Sequence, residues 1–198
     1  MLPLFIVAIF ATILIIERLI FIIPRGRNSV TLAESILANC HQGDFNKAQC
    51  IASKSNAPIA KVLNACLLRR NTTAQLMEDA IQEAILHEMP RLERFLSTIG
   101  ILAGIAPLLG LLGTVTGMIS TFDMITQLGT GQPRLMAGGI SEALLTTATG
   151  LVIAIPVLLM HSYLSSRSDQ IIADTERYAA TVFNLIRDSR HEEMSVKE

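Results

Sequence analysis

The chain has 198 residues, of which 51% are hydrophobic and 17% charged, and its mean hydropathy is +0.47. Sixteen Lys and Arg against seventeen Asp and Glu give a formal net charge of -1, which argues against nucleic acid, whose polyanionic backbone selects a basic surface. The length suits one ordinary soluble domain, but the long unbroken apolar runs do not, and they point to a membrane.

A helix needs about 20 apolar residues to cross the core of a bilayer. The first such stretch runs from Leu2 to Ile23, interrupted only by Glu17-Arg18. It lacks the positive leading region and the small-residue cleavage site of a signal peptide. Glu17 and Arg18 stand near its inner end, where both can extend to the interface as an anchoring pair. Thr31-x-x-Glu34 reads as a capping box that opens a helix, and Gly43 as its stop. Asp44 suits the cap of a second short helix, and Asn56 with Pro58 opens a third. Thr72-x-x-Gln75 is another capping box, followed by Leu76, Ile81, Ile85, Met89, Leu92, Leu96 and Ile99 at a helical period. Nothing before Gly100 reads as a stop. One long helix is therefore expected to rise straight into the second apolar stretch, Thr98 to Phe122, with Pro90 as a bend. The third stretch runs from Ala143 to Leu164, and the stripe Ile171, Tyr178, Val182 and Leu185 continues it as an amphipathic helix. The expected fold class is an all-α membrane protein with three transmembrane helices and long cytoplasmic helical extensions.

Orientation follows from the basic residues in the connections. Residues 25–97 hold nine Lys and Arg and the tail 165–198 holds five, whereas the link near 124–141 holds only Arg134. The expected order is thus a membrane helix at 1–24 with its N-terminus outside, a cytoplasmic region at 25–97, a second span at 98–123, an outer link at 124–141, a third span at 142–164, and a cytoplasmic tail at 165–198. Cys40, Cys50 and Cys66 all fall in the cytoplasmic region. An odd count with no zinc spacing reads as reduced thiols.

The second span carries Gly100-x-x-x-Gly104 and Gly113-x-x-x-Gly117, with Gly110 between, and the third carries Gly150. Small residues at this spacing let helix backbones approach closely, which is a packing role and also what a tight ring of helices needs. Hydroxyls cluster as well: Thr114, Thr116, Ser120 and Thr121 on the second span, Thr146, Thr147 and Thr149 on the third. A membrane Thr usually bonds the carbonyl four residues back and does nothing more. Two clusters on consecutive helices can instead line a narrow polar passage for a proton. Glu142 opens the third span. A carboxylate there is either favoured by the helix dipole or functional, because ionisable groups within a membrane are costly. Between Thr98 and Phe122, and between Ala143 and Met160, no Asp, Glu, Lys, Arg or His occurs. If this chain moves protons, a partner must supply the protonatable group. His41, His87, His161 and His191 are scattered without ligand spacing, and neither a phosphate loop nor a nucleophile motif is present. No catalytic residue, metal or cofactor is therefore expected.

Three passages resemble the MotA/TolQ/ExbB proton-channel family, most closely its ExbB branch: Glu17-Arg18 closing the first span, the run from Ala106 to Met118 built on Gly110-Leu-Leu-Gly113-Thr114, and the run from Ile140 to Leu151 built on Glu142-Ala-Leu-Leu-Thr146-Thr147. The resemblance covers about 17–165 and implies a homo-pentameric ring in a bacterial inner membrane. Such a ring encloses an ExbD-like single-span subunit whose membrane Asp carries the proton, and it drives a TonB-like shaft that opens outer-membrane receptors for siderophores, haem or cobalamin. By the same resemblance Thr114 and Thr147 would line the path, with Glu142 near its outer side. A TolQ-like role, with TolR and TolA, is the near alternative, and a passive membrane scaffold is the alternative of another class. Relatives usually carry residues before the first span. Here that span starts at Leu2, which implies either a member without the extension or a segment of a longer chain.

Overall fold

The structure, a computed structural model, describes residues 2–128 and 133–195. Residues 129–132 of the expected outer link, and Lys197 of the tail, lie outside the described residues. All regular structure among the described residues is helical: α1 (Leu2–His41), α2 (Phe45–Ser53), α3 (Pro58–Leu68), α4 (Ala74–Glu93), α5 (Leu96–Leu128) and α6 (Pro133–Ser195). Three of these helices are long and apolar enough to cross a membrane. The chain divides into two compact units, Met1–Leu19 with Phe95–Leu164, and Ile20–Arg94 with Ser165–Glu198.

The second unit is a helical domain with an ordinary apolar core. Ala33, Ile36 and Cys40 of α1 pack with Ile59, Leu63 and Cys66 of α3, Met77 of α4, and Val182 and Ile186 of α6. The tail stripe read from the sequence supplies part of this core through Tyr178 and Val182, with Leu185 packed against it, and Ile171 is buried as well. At its far end both Nη atoms of Arg190 donate to the Thr72 carbonyl, at 2.7 and 2.6 Å, tying α6 to the turn before α4.

Several predicted helix ends move once packing is visible. Thr31-x-x-Glu34 starts nothing, because α1 runs unbroken through Pro24 to His41. Proline removes one intrahelical bond, but burial of Ala33, Ile36 and Cys40 along the continued face outweighs that loss. Gly43 does end α1. With φ at 77° it completes a Schellman motif, in which Gly43 N–H donates to the Cys40 carbonyl and Asp44 N–H to that of Asn39, both at 3.0 Å. Ala57, not Asn56, caps α3, with Pro58 at its first turn. Thr73, not Thr72, caps α4, its hydroxyl accepting from Leu76 N–H at 3.4 Å. Pro90 sits inside α4 without ending it, and the single long helix expected here is broken instead at Arg94–Phe95. Phe95 has φ of 62°, a left-handed conformation that no sequence rule assigns to phenylalanine.

Cys40, Cys50 and Cys66 are free thiols, the first and last buried and Cys50 exposed. Burial pushes the Cys40 thiol up to about 11, and burial together with the nearby Cys40 pushes Cys66 up to about 12. Both folded values exceed the ordinary 9.0, so these thiols contribute stability that is complete below pH 9.0 and is lost as pH rises towards 11 to 12. At about pH 8 a maleimide should label Cys50 quickly and the other two only on unfolding. Mass spectrometry counts the labels, and three fast thiols would contradict the packed core.

In the first unit, polarity is inverted relative to a soluble fold. Phe5, Ile9 and Ile13 of α1, Leu108 and Val115 of α5, and Val152 and Leu159 of α6 are each 50% or more exposed. Helices that satisfy their own backbone and present apolar side chains outward meet lipid or other membrane helices.

Candidate functional site

The first unit is organised by the seam between α5 and α6. Helix α5 approaches α6 in antiparallel register: Gly100 faces His161, Ala106 faces Gly150, Gly110 faces Thr147, Gly113 faces Thr146, Gly117 faces Ala143, and Thr121 faces Gly139. The backbones are close enough that side chains on these glycines would collide. A Cβ on Gly150 would lie 2.8 Å from the Ala106 carbonyl oxygen, and one on Gly110 3.1 Å from Thr147 Cα. Gly104, grouped with the packing glycines on sequence spacing, has nothing within 4 Å within this chain.

This close approach positions the hydroxyls. Thr147 Oγ1 lies 2.9 Å from the Gly110 carbonyl oxygen and 3.3 Å from Thr114 Oγ1, and Thr114 Oγ1 donates to the Leu111 carbonyl at 2.7 Å. Thr147 thus bonds across to the other helix. Four other threonines bond back along their own helix: Thr116 to Leu112, Thr121 to Gly117, Thr146 to Glu142 and Thr149 to Leu145. A hydroxyl has one proton and two lone pairs. Thr147 can give its proton to Gly110 or to Thr114, and both hydroxyls keep accepting capacity for a donor from outside the pair. Both residues are half-buried.

Glu142 is not part of this pair. Taking Thr146 on the seam as reference, Thr147 lies about 100° round α6 on one side and Glu142 about 40° on the other. Glu142 instead lines a cavity of about 350 Å³ with Thr116, Gly117, Ser120 and Thr146. The sequence set Thr114, Thr147 and Glu142 is therefore arranged as two sites on opposite flanks of one hairpin, a hydroxyl pair on one and a carboxylate groove on the other. Thr116 and Ser120 belong to the second, and their shared face with Glu142 follows only from the register of α5 against α6.

Glu17 and Arg18 differ in exposure. Arg18, read from the sequence as an interfacial anchor, is 2% exposed, and its guanidinium lies over the Phe95 ring, 5.2 Å from the centroid. Glu17 remains half exposed and pairs with Arg18 at 3.5 Å. Among the described residues no group of three or more His, Cys, Asp or Glu is placed to hold a metal ion.

The family model of the MotA/TolQ/ExbB proton channel family matches residues 53–177, more than half of the chain, including α5 and the membrane part of α6. The chain belongs to that family, and with its three apolar helices it is a multi-pass protein of a bacterial inner membrane. It is similar to an ExbB-like biopolymer transport protein of Synechocystis sp., with 30% identity covering 79% of this chain and 76% of that protein. An ExbB homolog of Methanothermobacter thermautotrophicus is 34% identical over 60% of this chain but only 42% of its own length. The chain thus spans less than half of that relative. The Tol-Pal system protein TolQ of Pseudomonas aeruginosa is 34% identical over 47% of this chain and 40% of its own length.

Proposed function

We propose that the chain is the ring-forming subunit of an inner-membrane motor driven by the proton motive force. Five copies form a ring around an ExbD-like single-span partner whose membrane Asp takes and releases the proton. The ring then energises a TonB-like shaft for outer-membrane import of siderophore-bound iron, haem or cobalamin. The observation that carries this reading is the Thr147–Thr114 hydroxyl pair at the α5–α6 seam, in spans with no titratable side chain of their own between 98 and 122 or between 143 and 160. Hydroxyls accept and donate but do not hold a charge near neutral pH, so they suit a path whose ionisable group comes from elsewhere. Protonation removes the charge of a buried Asp and lets its helix leave a polar site for an apolar one. One charge crossing 100 mV releases about 2.3 kcal/mol, which matches the few kcal/mol that separate two packed states. Rotation of the partner inside the ring is the mechanism this reading prefers.

In this reading residues 1–24, 98–123 and 142–164 span the membrane. The regions 25–97 and 165–198 face the cytoplasm, and 124–141 and the N-terminus face the periplasm, in keeping with the charge asymmetry. Nothing in it asks the chain for catalysis. The similarity to a TolQ protein supports a second reading, in which TolR and TolA replace ExbD and TonB. Native mass spectrometry of the complex captured on this chain tests both. Five identical copies holding a minor single-span subunit with a membrane Asp are expected, and the co-purified shaft chooses between the two systems. A gently purified monomer or dimer would overturn the motor in favour of a passive scaffold.

A further inference from the structure

A second cavity lies wholly in the helical domain, between α3 and α4, with a volume of about 520 Å³. It is lined by Lys61, Arg69, His87 and Arg91 together with the apolar Ala65, Leu68 and Ala84. One carboxylate organises the cations. Glu88 is 6% exposed, and its Oε1 lies 3.0 Å from Lys61 Nζ, 3.2 Å from Arg91 Nη1 and 3.4 Å from His87 Nδ1. A single carboxylate oxygen is thus approached by two full cations and an imidazole. Lys61 gives Glu88 only one of the three N–H donors an ammonium carries. Arg69, on the same cavity, is exposed and makes no side-chain hydrogen bond or ion pair among the described residues. The other acid on the wall, Glu83, is exposed, so Lys61, Arg69 and Arg91 outnumber Glu83 and Glu88 by three charges to two.

We infer that this cavity binds a phosphate-bearing anion, held by Lys61, Arg69 and Arg91, with Glu88 as a positioning residue that keeps Lys61 and Arg91 convergent. Guanidinium and ammonium groups around a mostly apolar recess match a phosphate oxygen set with a hydrocarbon attachment. Sequence distance favours a lipid headgroup over a soluble phosphate compound. Arg91 precedes Leu96, the first residue of α5, by five residues, so at most about 18 Å of chain separates it from the start of a membrane span. Basic recesses at that level are where anionic headgroups are recognised. The inference goes beyond the motor reading and does not depend on it.

The test uses the full chain in its membrane complex. Wild type, Arg69→Gln and Lys61→Gln/Arg69→Gln are reconstituted with equal amounts of phosphatidylglycerol and phosphatidylcholine, and native mass spectrometry counts retained lipid. Inorganic phosphate is titrated calorimetrically in a parallel arm. Wild type should retain phosphatidylglycerol over phosphatidylcholine. The double variant should bind it about tenfold or more weakly, the factor for losing a charge-assisted bond, while keeping its helix content. Arg69→Gln alone, at an exposed position, keeps the test valid if the double variant misfolds. Phosphate binding that the variants lose, without a lipid preference, would support the anion site and assign it to a soluble phosphate compound. Equal retention by wild type and variants, with no phosphate binding, would overturn the proposal and leave a solvated ion-pair cluster.

Discussion

Gly150→Ala disrupts the α5–α6 hairpin and lowers the amount of assembled complex, whereas Gly104→Ala leaves assembly unchanged. Both substitutions replace a helical glycine by alanine, and on helix propensity alone each should gain up to about 1 kcal/mol. The difference lies in what the new methyl meets. At Gly150 it would stand 2.8 Å from the Ala106 carbonyl oxygen and 3.1 Å from Gly110 Cα, both backbone atoms. Neither can rotate away, so the helices must separate along a seam where each contact depends on the next. Overpacking of this kind costs about 1–3 kcal/mol and more when backbone has to move. Gly104 has open space and no such cost within the chain. Gly113→Ala should fall between, because its methyl meets the Thr146 side chain, which can rotate at the expense of the Thr146 bond to the Glu142 carbonyl. Melting of the purified complex, with its mass distribution, checks the order. Equal stability of the Gly150 and Gly104 variants would mean that the seam is looser than described.

Thr147→Val abolishes most proton-coupled work while the complex stays assembled. Valine keeps nearly the volume of threonine but cannot donate to Gly110 or Thr114, which lie 2.9 and 3.3 Å from the hydroxyl. The Gly110 carbonyl retains its helical bond, so packing is little disturbed. What disappears is the hydroxyl that donates from α6 across to α5. Removing one hydrogen-bonding step from a relay is expected to reduce flux about tenfold, the equivalent of about 1.4 kcal/mol. Thr114→Val should cost less, since Thr147 can still turn to Gly110, and Thr147→Ser should retain activity. Proton uptake into vesicles under an imposed potential, read with a pH-sensitive dye, gives the comparison. Undiminished flux in Thr147→Val would return both threonines to a packing role.

The two flanks of the hairpin explain why the site was only partly legible beforehand. Thr114 and Thr147 could be selected because hydroxyls cluster on two apolar runs, and Glu142 because a carboxylate at a span end is costly. Their grouping was not available. Thr146 and Thr147 are neighbours in sequence yet meet different partners, since one residue turns a helix by about 100°. Which hydroxyl crosses to α5 depends on the axial register of α5 against α6, which joins residues 33 and 37 positions apart in the chain, and local patterning does not encode that register. The break at Arg94–Phe95 escaped for a similar reason. Local rules see a good helix there, and the left-handed Phe95 makes sense only with Arg18 of α1 over its ring.

By itself the sequence determined the three apolar helices, their intervening helical region, the Schellman stop at Gly43 and the amphipathic stripe of α6. Each of these follows from periodicity or backbone chemistry acting within a few residues. Tertiary structure alone decided four other features: the unbroken α1, the cap at Thr73, the separation of Glu142 from the threonine pair, and the meeting of Lys61 of α3 with Glu88 and Arg91 of α4. These depend on which faces bury against one another, and burial of a long face outweighs the fraction of a kcal/mol to about 2 kcal/mol carried by any single cap signal.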